Sequence, residues 1–149
     1  MNSIKEIDSF LANRKIAIAG MSRNSKKFGN IVHRTLSKKG FELYPIHPEV
    51  DIIDGEKCFS SITELPPDVK DLLLVIQPQQ SELVVRKIPD SSIERVWMQQ
   101  GAESEEAIKF CKGNDIPLIH GTCILMHAQP DGIHKFHHWL LGLFGKVPK

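Results

Sequence analysis

The chain has 149 residues, 41% of them apolar, with 19 basic and 18 acidic side chains and a formal charge of +1. That length and apolar content suffice for one buried core, while the even charge balance excludes a global field for nucleic acid or for an anionic membrane. No apolar run approaches the roughly 20 residues a membrane-spanning helix needs, and Lys5, Glu6 and Asp8 interrupt the N-terminus where a secretory leader is apolar.

The expected product is a single cytoplasmic domain over 1–149, with its core at about 14–124. Cys58, Cys111 and Cys123 are odd in number, widely spaced and form no Cys-x-x-Cys, which fits reduced thiols rather than a disulfide framework.

In chain order, Ser3-Ile4-Lys5-Glu6 has the form of a capping box. Ile4, Ile7, Phe10 and Leu11 recur behind it at helical spacing and predict a short amphipathic helix laid on the domain. Residues 15–19 are a brief apolar run suited to a strand buried on both faces, in which Ala17 and Ala19 let helices pack close on either side. Gly20 ends it. Helical periodicity resumes after Gly29, with Ile31, Val32, Thr35 and Leu36 on one face, and stops at Lys38-Lys39-Gly40.

Residues 41–46 read as a second strand, with Pro45 near its end because proline removes a ladder donor. The stretch 51–67 is irregular apart from one helical turn at 60–65. The most apolar run, 71–76, is the clearest buried strand. Helix 79–88 follows with Leu83, Val84 and Ile88 inward, and 93–100 is a fourth strand carrying Trp97 as core and closed by Gly101. Helix 103–112, strand 116–119 and a last helix at 133–144 complete the chain. Strands alternating with helices through short loops predict a Rossmann-like α/β fold: a doubly wound parallel five-stranded sheet with helices on both faces. In such a sheet the ligand crevice lies at the carboxyl ends of the strands, where strand order reverses.

The chemistry concentrates between Gly20 and Asn30. A helix start at a strand's carboxyl end offers unpaired N–H groups and the positive end of a dipole to an anion. Arg23, Lys26 and Lys27 stand where that dipole favours Asp or Glu, so either they help to hold a phosphate or they form a solvated basic loop. Serine at 22 and 25 departs from Gly-x-Gly-x-x-Gly, although the Ser22 hydroxyl can itself donate to a phosphate oxygen. An NAD(H) site requires a carboxylate at the second-strand tip. Here the tip is Pro45-Ile46-His47-Pro48, with Glu49 and Asp51 just beyond it, which weakens that alternative. Helix 103–112 opens on Glu103, Glu105 and Glu106, which would repel a phosphate and leave the first helix start as the better anion site. Gln99, Gln100 and Gly101 are expected to face the crevice as ligand contacts.

His134, His137 and His138, with His127 and Cys123 upstream, would suit zinc. No Glu stands in a His-Glu-x-x-His position and Trp139 and Leu140 are neighbours, so the cluster reads as surface histidines on a packing helix, and no metal is assigned. Cys123 reads as a buried thiol rather than a nucleophile, and no residue is assigned as catalytic. The apolar face of the last helix covers either the sheet or a second subunit, which leaves a homodimer open.

Ala19-Gly20-Met21-Ser22, Tyr44-Pro45-Ile46-His47-Pro48, a strand ending near Pro78, Val96-Trp97-Met98-Gln99-Gln100-Gly101 and Cys123 together resemble the small stand-alone CoA-binding proteins. These are similar to the amino-terminal CoA-binding domain of the succinyl-CoA synthetase alpha subunit. The resemblance covers roughly 16–123 and is most specific at Trp97, Gln99 and Gly101. It implies coenzyme A, or a short acyl-CoA, as a small-molecule nucleotide ligand. Gly20, Met21 and Ser22 would form the phosphate loop with Arg23, Lys26 and Lys27 nearby, and Asn30 counts with them. Pro45, His47 and Pro48 would border the adenosine, and Ile76, Gln77 and Pro78 would form its opposite wall. The family usually has asparagine at His47 and often lysine at Glu49, which bears on the 3′-phosphate contact. The synthetase works through a phosphorylated histidine in a second domain with no counterpart here, which implies a binding module rather than a ligase. Two alternatives stand beside it: an NAD(H)-binding oxidoreductase-like domain, and an interaction or dimerisation module without ligand.

Overall fold

The computed structural model describes residues 4–128. Ser3 of the expected capping box, the histidines at 134–138 and the helix expected at 133–144 lie outside the described residues. The elements run α1 (Ile4–Ala12), β1 (Lys15–Ala19), α2 (Phe28–Lys38), β2 (Glu42–Ile46), a two-stranded hairpin of β3 (Ile52–Ile53) and β4 (Glu56–Lys57), β5 (Asp71–Leu74), α3 (Pro78–Val85), β6 (Arg95–Met98), α4 (Glu105–Gly113) and β7 (Leu118–His120). The main sheet has the order β2-β1-β5-β6-β7 with every pairing parallel, and this is the Rossmann-like arrangement expected. No described helix is long and apolar enough to cross a membrane.

Period-two alternation divides the apolar side chains between the two faces. Ile18, Leu73, Trp97 and Ile119 stand in register across four strands and point toward α1 and α2. Phe10 of α1 meets the Trp97 ring edge-on, with centroids 5.3 Å apart and planes at 68°. Each such fully buried large side chain contributes roughly 1.5–3 kcal/mol. Ala17, Leu72 and Val96, then Ala19, Leu74 and Met98, form the opposite rows and pack with Val85, Ala107 and Cys111 of α3 and α4. Both alanines of β1 therefore serve the same layer rather than one face each, because residues two apart in a strand share a side.

Pro45 lies inside β2, an edge strand. Its carbonyl accepts from Phe59 N–H at 2.8 Å on the side away from β1, so the missing proline donor also falls on the outer edge, where the β1 ladder does not need it. β5 is shorter than its apolar run: Val75 still donates to the Ala19 carbonyl at 2.8 Å, after which the chain leaves the sheet. Leu83 is 66% exposed rather than inward, because α3 buries Ser81 and Val85, one turn apart. The hairpin falls in the stretch expected to be irregular. Its turn is Asp54-Gly55, with φ of 50° and 79°, between the paired Ile53 and Glu56. Two positive φ values in a two-residue loop are those of a type I′ turn, for which Asp-Gly is a favoured pair.

Candidate functional site

A cavity of about 780 Å³ opens at the carboxyl ends of β1, β2 and β5. This is where strand order reverses, since β2 lies on one side of β1 and β5 on the other. One end is made of main chain. Gly20 has φ 133°, and a Cβ on it would lie 2.2 Å from the Val75 carbonyl oxygen; a Cβ on Gly29 would lie 2.2 Å from the Gly20 carbonyl oxygen. Glycine at both positions lets the first turn of α2 descend on the end of β1 while β1 touches β5. In the sequence Gly29 marks a helix boundary, and a glycine in the first turn of a helix after a glycine-ended strand is the signal for this close approach.

Lys27, the N-cap of α2, lines this end together with Gly20, Met21, Ser22, Phe28 and Gly29, and no acidic residue occupies the helix's first turn. Ser22 is fixed from behind. Its N–H donates to Asn30 Oδ1 at 2.8 Å, and its carbonyl accepts from Asn30 Nδ2 at 2.7 Å. The Ser22 Oγ accepts from Asn24 N–H at 3.1 Å, which leaves its own proton to donate elsewhere. Arg23 and Lys26 are exposed and do not line the cavity. Asn30, wholly buried, does not line it either, because its amide is committed to holding Ser22.

The other end is made of side chains. His47, Pro48 and Glu49 follow β2, Ser60, Ser61 and Ile62 come from the segment after the hairpin, and Ile76, Gln77, Pro78, Leu83, Val84 and Lys87 from β5 onward. The His47 Nδ1 accepts from the N–H groups of Glu49 and Val50 at 3.0 and 3.1 Å, which places the neutral ring's proton on Nε2 and shapes the turn as an asparagine side chain would. Pro78 opens α3 in the first-turn position, and the Gln77 N–H donates to Gln80 Oε1 at 3.3 Å. Among the described residues, neither Lys27 nor Lys87 forms an ion pair. Ser60, Ser61, Gln80 and Lys87 were not foreseen; single polar residues in loops and short helices carry no periodic signal.

Of the fourth-strand residues, only Gly101, with φ 94°, lines the cavity. Gln99 is 2% exposed and turned to the core: its Nε2 donates to Cys123 Sγ at 2.7 Å and its Oε1 accepts from Ile124 N–H at 3.0 Å. It lies two residues past Trp97, on the α1/α2 side of the sheet, which explains the inward turn. Gln100 is exposed and Pro45 buried, both away from the lining. Glu103 bridges two loops by accepting from Gly101 N–H at 3.0 Å and Gly121 N–H at 2.8 Å.

All three cysteines are buried. Burial pushes the Cys111 thiol up to about 11 and raises those of Cys58 and Cys123, with hydrogen bonds at Cys123 pulling the other way. None of them lines the cavity. Among the described residues, no group of three or more His, Cys, Asp or Glu could hold a metal ion.

Residues 14–129 match the family model of the CoA binding domain. The uncharacterized protein YneT of Bacillus subtilis is 27% identical over 126 residues, covering 84% of this chain and 92% of that protein. An ADP-forming acetate–CoA ligase of Methanocaldococcus jannaschii is 32% identical over 75 residues, which are 50% of this chain but only 10% of the ligase. A solved structure of a conserved hypothetical protein from Pyrococcus furiosus superimposes with a TM-score of 0.71 at 40% identity, over 74% of this chain and 96% of that one. The chain belongs to the CoA-binding domain family.

Proposed function

We propose that this domain binds coenzyme A, free or carrying a short acyl group, with the diphosphate at the Gly20-Met21-Ser22 loop and the adenosine between the β2 tip and the start of α3. The observation that carries the reading is the Gly20–Gly29 contact, which brings the start of α2 to the cavity beside the Ser22 hydroxyl and Lys27. Backbone N–H groups, a dipole's positive end, a hydroxyl donor and an ammonium group are the complement of a diphosphate. His47, Pro48, Ile76 and Pro78 supply a largely apolar slot for a flat base. Gly101, which has no side chain, also lines the cavity, and the pantetheine arm is assigned to that side.

The domain's part is binding, with the reaction left to a partner or a further domain. The three thiols, strong nucleophiles only as thiolates, are buried and lie outside the cavity. Calorimetric titration with CoA, acetyl-CoA and AMP tests the reading: CoA should bind at least about tenfold more tightly than AMP, since AMP lacks the diphosphate. Equal affinities, or none, would overturn it.

Glu49 favours a second reading. It is a carboxylate that lines the cavity, three residues past the end of β2, and NAD(H) requires a carboxylate near that tip to accept its ribose hydroxyls. Titration with NADH in the presence and absence of CoA separates the two, and NADH binding that CoA fails to displace would support neither shared-site model. Native mass spectrometry of the purified protein would read both any retained ligand and the subunit count that the dimer expectation concerns.

A further inference from the structure

The hairpin tip reaches the anion loop from outside the cavity. Asn30 Nδ2 donates one hydrogen to the Ser22 carbonyl and the other to Asp54 Oδ2 at 3.0 Å. The Asp54 carboxylate also lies 3.9 Å from Arg34 Nη1, and the same nitrogen donates to the Ser25 carbonyl at 3.0 Å. One carboxylate thus braces both side chains by which α2 grips the loop, at Ser22 and at Ser25. Asp54 does not line the cavity.

We propose that Asp54 is a positioning residue for the anion loop, setting affinity for diphosphate-bearing ligands through Asn30 and Arg34 without touching the ligand. The inference rests on the loop being the diphosphate seat, as proposed above. A carboxylate acceptor strengthens and orients the amide that holds Ser22. With both Nδ2 hydrogens and Oδ1 engaged, Asn30 has one orientation, since a flipped amide would set its oxygen against the Ser22 carbonyl and the carboxylate together. The Ser22 main chain then faces inward and its hydroxyl remains the group presented to the ligand. Without Asp54, Asn30 keeps an unpaired buried N–H and Arg34 loses its counter-ion, so the loop samples positions in which the hydroxyl is misplaced.

The type I′ turn dictates the variants. Asp54→Gly removes the carboxylate while retaining a residue at home at positive φ, and Asp54→Asn keeps an acceptor within an Asn-Gly turn. Affinity for CoA and for ADP would be measured calorimetrically on the wild type, both variants, Ser22→Ala and the Asp54→Gly/Ser22→Ala double variant. Asp54→Gly should weaken CoA and ADP alike by about tenfold, Asp54→Asn should stay within about twofold of wild type, and Asp54→Gly should cost little once Ser22 is alanine. A merely structural role would lower the melting temperature and leave the folded protein's affinity unchanged, or would add to the Ser22→Ala loss. Either result, or tighter binding from relief of charge repulsion, would overturn the proposal. If the wild type binds neither CoA nor ADP, the diphosphate reading falls, and this one with it.

Discussion

At the α2 end of the cavity the wall is main chain, with Gly20 against Val75 and Gly29 against Gly20 leaving no room for a methyl group. At the α3 end the wall is Ser60, Ser61, Gln80, Leu83 and Lys87, side chains from loops and a short helix, with Leu83 66% exposed. The first end is set by how three segments pack, so changing it changes the fold. The second can be altered one side chain at a time. The two ends of the cavity therefore differ in what a substitution does: at the first it disturbs the packing of the sheet, at the second it alters the lining alone.

The largest expected effect breaks the first end. Gly29→Ala should destabilise the domain by about 3 kcal/mol, because the added methyl meets backbone that cannot move aside as a side chain would; a lower denaturation midpoint with unchanged slope would show it. Next, Lys27→Ala should weaken CoA binding about fivefold with little change in stability, and the loss should shrink as salt is raised. A titration series in sodium chloride checks both statements.

His33 gives a smaller, pH-dependent effect away from the ligand. Burial holds its imidazole below the ordinary value of 6.5, against the pull of Glu56 and Asp54. The unfolded chain accepts a proton that folded His33 resists, so stability is complete above about 6.5 and declines as pH falls through that value toward the lower folded one. His33→Gln should flatten this slope in denaturant melts between pH 7.5 and 5. Smallest of all, Leu83→Ser at the exchangeable end should change stability by no more than about 0.5 kcal/mol. A loss near that of Gly29→Ala would erase the contrast between the two ends.

Much of the fold was legible because burial dictates pattern. The runs around Ile18 and Leu73 suit two-sided strands, and Gly20 directly follows the end of β1, whereas β6 stops at Met98, three residues before Gly101. What escaped depended on direction rather than composition. Leu83 looked inward on average helical spacing, yet the helix phase is set by its start at Pro78, and that phase buries Ser81 and Val85. Gln99 looked like a ligand contact because it is polar at a strand end, but alternation from Trp97 turns it to the core, where it satisfies Cys123 and Ile124. Asn30 stands beside the loop, and its amide bonds go to Ser22 and Asp54, a direction that its place in the sequence does not reveal. Asp54-Gly55 is a hairpin turn pair, but flanking strands of two residues each are too short to show alternation in the sequence.

The contact between Gly20 and the Val75 carbonyl joins residues 55 positions apart in the chain, and Gly29 then closes on Gly20. A shift of β5 by a single residue along β1 would put a different carbonyl beneath Gly20 and reshape the cavity wall above it. If the diphosphate sits there as proposed, ligand binding reports strand alignment as well. During refolding, ligand-dependent protection should arise only with the species in which β1 and β5 have found their final pairing, not with an earlier collapsed form that has helices alone.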